Sequence, residues 1–194
     1  MADKKIFCFT HFDLDGVVSY LVTKWAHPGY KIECEPLSGT DNRYEIMQWL
    51  TKNDFSKYER VFFLDLDISN SIDLIDHENV IIIDHHKTHA ENKNYKKAVA
   101  IVKEYSSACL LAYRVFKKLY NSNFTEEQKK LVIFGNDYDS YELQFPESRN
   151  LNIVFWNTQK SFPSFIENFS NGFFTFTKEQ EAICRIYEND LERQ

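Results

Sequence analysis

Apolar residues in this chain fall into short continuous blocks, separated by turn-forming residues and by segments where they recur at helical spacing. The first block, Ile6 to Thr10 (I-F-C-F-T), predicts a strand buried on both faces, because a strand with one wet face would alternate polar and apolar positions. Val17 to Trp25 follows an Asp-rich turn and predicts a helix, giving a β–loop–α start. Tyr30 to Leu37 predicts a second strand, Tyr44 to Leu50 a helix, Val61 to Leu66 a third strand, and Val80 to Ile83 a short fourth one. Buried strands alternating with helices predict an α/β fold in which a parallel sheet carries helices on both faces.

The second half reads as helical. Ser106 or Ser107 is placed to cap a helix running to about Asn121, whose Leu110, Leu111, Val115, Phe116 and Leu119 share one face. Thr125-Glu126-Glu127-Gln128 has the form of a capping box and predicts another helix. After Tyr141, Pro146 and Pro163 punctuate short aromatic-rich pieces, and Lys178 to Leu191 predicts a last helix. The expected organisation is a core over residues 1–141 and a helical C-terminal cap over 142–194 packed on it.

Composition narrows the class. Of 194 residues, 43% are hydrophobic and 16% aromatic, with only 5 Gly and 4 Pro, which excludes a disordered or linker-rich chain. The formal net charge of -6 argues against broad capture of long duplex DNA or of an anionic membrane, both of which need basic surface. Cys8, Cys34, Cys109 and Cys184 are widely spaced without a C-x-x-C pair and read as buried thiols in a reducing compartment. The first apolar run ends at His11, too short for a signal segment or a span, so a cytoplasmic location is expected.

Ligand sites of open α/β sheets form beyond the carboxyl ends of the strands, and there the chain repeats one theme. His11-Phe12-Asp13-Leu14-Asp15-Gly16 follows the first strand, Asp65-Leu66-Asp67 the third, and Asp84-His85-His86 the fourth; Asn136-Asp137-Tyr138-Asp139 ends a helix. Each cluster alone has an ordinary reading, Asp-Leu-Asp-Gly as a turn or Asp65-x-Asp67 as a helix cap. Their coincidence in one small domain points instead to metal. Carboxylate oxygen and imidazole nitrogen suit Mn²⁺ and its relatives, and no thiol lies in any cluster. Two such ions, about 3.5–4 Å apart, activate a water for in-line attack at phosphorus.

Thr10 to Gly16, Asp67-Ile68-Ser69, Asp84-His85-His86 and Asp137-Tyr138-Asp139 together resemble, in order, the four motifs of the DHH phosphoesterase superfamily. The resemblance implies that His11 and Asp13 hold one metal, that Asp67 bridges, and that Asp15, His85 and Asp137 complete the second site. Asp139 competes with Asp137 for the fourth-motif place, and Asp65 more weakly with Asp67. Asp84 is expected to orient a histidine from behind, and His86 to contact the scissile phosphate. Many nucleases of the superfamily carry a C-terminal substrate-binding domain with a Gly-rich, His-containing motif; no such motif occurs here, so a stand-alone catalytic core is expected.

Substrate contacts are sought in Lys87, His89, Lys93, Lys96, Lys97 and Lys103, a local cationic run suited to a phosphate rim, with Lys87 and His89 nearest the site. Tail aromatics, including Phe155, Trp156, Phe162, Phe165 and Phe169, are expected mostly in the core. The function expected is hydrolysis of phosphodiester or phosphomonoester bonds in short oligonucleotides or small nucleotides, using two Mn²⁺ ions, with Mg²⁺ or Co²⁺ as substitutes. Cleavage of pyrophosphate or polyphosphate, or a binding module that kept the fold and lost hydrolysis, are the alternatives.

Overall fold

The computed structural model describes residues 4–191. The first half alternates strand and helix: β1 (Lys5–His11), α1 (Leu14–Ala26), β2 (Lys31–Leu37), α2 (Asn42–Leu50), β3 (Arg60–Leu64), α3 (Ile72–Ile75), β4 (Val80–Asp84), α4 (Lys87–Glu91) and β5 (Val99–Val102). Helices then follow one another: α5 (Ala108–Leu119), α6 (Glu126–Asp139), α7 (Pro146–Asn157), α8 (Ser161–Phe169) and α9 (Lys178–Leu191). The strands form one five-stranded sheet in the order β2-β1-β3-β4-β5. All four neighbouring pairs are parallel.

Successive side chains of β1 and β3 point to opposite faces of the sheet and into two different cores, as strand geometry requires. Ile6, Cys8, Phe62 and Leu64 meet α1, α5, α6 and the C-terminal helices in the larger core. Phe7, Phe9, Val61 and Phe63 meet α2 and the segment around Phe55 in the smaller one. There Phe9 stacks on Phe63 with ring centres 4.7 Å apart, and Trp49 closes the edge. Phe155, Phe162, Phe165, Phe169 and Phe173 belong to the larger core, so α7 and α8 dock on the α1 side. Four of the five tail aromatics singled out in the sequence are therefore buried, and Trp156 alone of them is exposed.

The chain leaves β1 toward β2 on one side and places β3 on the other, so the carboxyl ends of β1 and β3 flank a topological switch point, where such sheets open a crevice. Several local differences from the sequence reading bear on that crevice. β3 stops at Leu64, not Leu66, because Asp65 adopts a left-handed conformation with φ 58. β5 is an edge strand that its short run left unannounced, and α4 gives helical form to the start of the lysine-rich run. His27, just past the end of α1, is buried among Phe62, Phe116 and Tyr120. Among the described residues no helix is long and apolar enough to cross a membrane.

Candidate metal centre

The end of β1 is shaped by a tight return. Asp13 caps α1, its Oδ1 accepting from the Gly16 N–H at 2.8 Å, and the Thr10 hydroxyl donates to the Gly16 carbonyl at 2.8 Å. A Cβ on Gly16 would stand 2.1 Å from the His11 carbonyl oxygen, so only glycine lets the helix start this close to the strand. The second Asp13 oxygen then lies 2.6 Å from His11 Nδ1. Gly39, at φ +79, lets the same His11 ring lie against the backbone, since a Cβ there would meet its Nε2 at 2.5 Å.

Asp15 is 2% exposed, and its two oxygens accept the backbone N–H groups of Ala108 and Cys109 at 2.7 and 2.8 Å. These are free donors of the first turn of α5, whose positive end favours a carboxylate. At the end of β3, the Asp65 N–H still bonds the Ile83 carbonyl at 3.0 Å, but its left-handed backbone turns the side chain inward. A positive φ at a buried non-glycine residue is a local cost that sites of function commonly carry.

Among the described residues three groups of potential ligand atoms result, each within 4.8 Å: His11–Asp13–Asp65, Asp65–His85–His86 and Asp15–His85–Asp139. They are contiguous, because Asp65 and His85 each belong to two. His85 Nε2 lies 3.2 Å from Asp65, 3.6 Å from Asp139 and 3.7 Å from Asp15. The donor set is carboxylate and imidazole, which fits divalent ions of the manganese kind. Fit is also shown by what the protein alone leaves unmet: Asp65 Oδ2 is buried and has no hydrogen-bond partner. A buried carboxylate oxygen without a donor is expensive unless a cation takes the place.

The electrostatics agree. Burial, then the neighbouring Asp15, Asp13 and Asp139, push the Asp65 carboxyl far above the usual range. Burial also raises Asp15, against the pull of His85. Asp139 is pushed up to about 8 by burial and by the charges of Asp15 and Asp13. His11 is raised by its hydrogen bond to Asp13; for Asp13 burial acts upward, but that bond and the cap to Gly16 prevail and lower it.

The structure brings together His11, Asp13, Asp15 and His85 of the expected ligands, and does not bring Asp67 and Asp137 to them. Asp67 lines the adjoining cleft but is not among the clustered ligand atoms: one oxygen takes the N–H and hydroxyl of Ser69 at 3.0 and 2.7 Å, and the other is bonded by the Thr88 hydroxyl. Asp137 is 3% exposed and ties down the turn after α6, accepting from the N–H groups of Gln144 and Phe145. Asp65 and Asp139, the alternatives two residues away, lie in the clustered groups instead. His89 is corrected too, since it is wholly buried between Asp84 and the Tyr95 hydroxyl and cannot meet a substrate. Lys87 is exposed on the first turn of α4.

Asp84 is fully buried, and its two oxygens lie 2.7 Å from Nδ1 of His86 and 2.7 Å from Nδ1 of His89. Burial opposes its charge, but the two imidazoles prevail and hold it well below the usual carboxylate range. The same bond raises His86. His86 lines a cleft of about 270 Å³ with His11, Asp65 and Asp67. A larger cleft of about 560 Å³ opens beside it at His11 and Asp13 and extends to Tyr138, Asn152 and Trp156.

A family model described as the DHH family, N-terminal domain, matches residues 5–135. None of the curated proteins matches the sequence. Among solved structures, an uncharacterised protein from Helicobacter pylori G27 superposes with a TM-score of 0.61 at 18% identity, over 98% of this chain and 62% of its own. The exonuclease RecJ bound to manganese gives 0.61 at 12% identity, over 98% and 62%. PggH from Vibrio cholerae, a pGpG-specific phosphodiesterase, gives 0.57 at 14%, over 96% and 60%. The chain thus spans about three fifths of the length of these structures, and at such identities the likeness is one of fold.

Proposed function

The chain belongs to the DHH family, and from that premise we propose that it is a manganese-dependent phosphoesterase acting on short oligonucleotides or small nucleotides. One observation carries the reading: a left-handed, buried Asp65 whose Oδ2 has no hydrogen-bond partner joins two groups of imidazole and carboxylate ligands. In this reading His11, Asp13 and Asp65 would hold one ion and Asp15, His85 and Asp139 the other, with Asp65 and His85 each shared with the group between them. A bound pair of this kind supplies a water of near-neutral pKa and neutralises charge on the phosphoryl oxygens. The manganese-bound exonuclease and the pGpG-specific phosphodiesterase among the similar folds support the choice. Four cysteines outside any disulfide, three of them buried, support a cytoplasmic setting.

His86 is the substrate-facing imidazole in this scheme. Its Nδ1 faces Asp84, so Nε2 is the atom left to meet a phosphate oxygen in the smaller cleft. Asp84 is a positioning residue, and Lys87 adds a mobile positive charge one residue on. His86→Ala is expected to lower kcat about 10²–10⁴-fold, the usual worth of a placed proton donor, with metal content unchanged. Elemental analysis beside kinetics checks this; loss of one ion per chain would make His86 a ligand.

The reading is tested by a hydrolysis panel with Mn²⁺ over dinucleotides and tetranucleotides, adenosine bisphosphate, cyclic dinucleotides and pyrophosphate. Turnover of the short oligonucleotides or nucleotides, abolished by chelation and weaker with Mg²⁺, is the expected result. Activity undiminished by exhaustive chelation, or confined to pyrophosphate, overturns it.

A further inference from the structure

The larger cleft has a composition that the phosphoesterase reading does not use. Its wall carries Phe12 and Trp156 on one side and the polar groups of Ser38, Glu45, Tyr138 and Asn152 around them. We propose that this cleft is a nucleobase subsite, in which the base at one end of a short oligonucleotide stacks on Trp156 while its phosphate lies at His11 and Asp13. The proposal rests on the phosphoesterase reading for the phosphate and on the cleft itself for the base.

Trp156 is 54% exposed although it sits beside the core residue Phe155 near the end of α7. Its ring is steadied by Phe12, with centres 5.8 Å apart, and by Phe155 at 5.1 Å. A large ring that is held in place yet left bare inside a concave site offers contact area at little entropic cost. Phe12 stands in sequence between the two cluster residues His11 and Asp13, so the aromatic wall and the candidate metal ligands are set by the same turn. An occupant of the cleft is therefore one with a phosphate within reach of its flat, apolar part.

The polar groups suit the edge of a base. The Asn152 amide donates to the Tyr138 hydroxyl at 2.7 Å, which leaves the amide oxygen as an acceptor and the phenolic proton as a donor. Glu45 accepts from the Ser38 N–H and hydroxyl at 3.2 Å and keeps lone pairs for further donors. Among the described residues the lining contains no Lys or Arg, so a second phosphate or a polyphosphate tail finds no counter-charge there. The volume of about 560 Å³ lies within the range of roughly 300–1,000 Å³ of small-ligand sites.

The test uses the full chain in Mn²⁺ buffer and a methylphosphonate-linked dinucleotide, whose linkage is uncharged and resists hydrolysis, with affinity read by calorimetry. Trp156→Ala is expected to weaken binding roughly 5- to 150-fold, the span that loss of one base–aromatic stack represents. Trp156→Phe should restore much of it, and Phe174→Ala, an exposed ring outside the cleft, should bind like the unaltered protein. Equal affinity of Trp156→Ala and the unaltered protein, no binding at all, or equally tight binding of a counterpart lacking both bases overturns the subsite. Turnover of the ordinary phosphodiester, measured separately, keeps the two readings apart. No turnover with the Trp156 effect intact sinks the phosphoesterase and leaves the subsite; turnover without the effect does the reverse.

Discussion

Asp65→Asn is expected to lower metal-dependent hydrolysis by roughly a thousandfold or more, whereas Asp67→Asn should stay within about tenfold of the unaltered protein. Asparagine tolerates the left-handed backbone that Asp65 adopts at φ 58, so the substitution changes charge and leaves the turn intact. What it removes is the anionic carboxylate that joins the His11–Asp13 and His85 groups. Several kcal/mol of transition-state stabilisation, the worth of a metal ion at a phosphoryl group, corresponds to about three powers of ten. Asp67 by contrast spends its oxygens on Ser69 and Thr88, so its loss loosens a local turn. Kinetics and metal content of both variants decide the matter. An inactive Asp67→Asn beside a near-normal Asp65→Asn would return the bridging place to Asp67.

The sequence pointed to the strand ends at which the clustered side chains lie, and it did not separate positions two residues apart, for a physical reason. On an extended chain, residues i and i+2 point to the same side, so Asp65 and Asp67 are equivalent by strand periodicity. The choice is made by a single backbone angle at Asp65, which no pattern of apolar residues encodes. On a helix two residues differ by about 200° of rotation, so only one of Asp137 and Asp139 faces the sheet. Asn136, whose side chain accepts from the Ser107 N–H, marks that face, and Asp139 three residues on shares it. That contact is a tertiary one, and the sequence, which offered Ser106 or Ser107 as the cap of α5, does not announce it. His89 was misplaced by its lysine-rich setting, which hid a short helix whose inner face carries it to Asp84. β1, β3 and β4 were legible because both of their faces are buried; β5 is a four-residue edge strand with Val99 half exposed and lacked that contrast.

Without metal, the protein is expected to lose thermal stability as pH rises from about 6 to about 9, and saturating Mn²⁺ should remove most of that slope. The groups responsible are Asp15, Asp65 and Asp139, whose carboxyls are all raised by burial first and then by neighbouring carboxylates, Asp13 for all three and Asp15 for Asp65 and Asp139, against the pull of His85 on Asp15 and of His86 and His11 on Asp139. In the unfolded chain a carboxyl titrates near 3.9 and is ionised throughout this window. In the folded chain Asp139 holds its proton up to about 8. The native state therefore binds more protons than the unfolded state between those limits, and stability falls with pH until the folded carboxyl has ionised. His11 and His86, raised by Asp13 and Asp84, act in the same direction, since their pairing is lost as they deprotonate. Each kcal/mol corresponds to about 2–4 °C in a domain of this size, so a fall of several degrees is the expected scale. Mn²⁺ binding replaces the retained protons, so loading should release protons at neutral pH and tighten as pH rises. Melting curves of chelated and Mn²⁺-loaded protein across the window, with calorimetric titrations in buffers of different ionisation heat, measure both effects. A chelated protein whose melting temperature is flat or rises over that window, or metal uptake without proton release, would mean that the three carboxylates are not held together against their own repulsion.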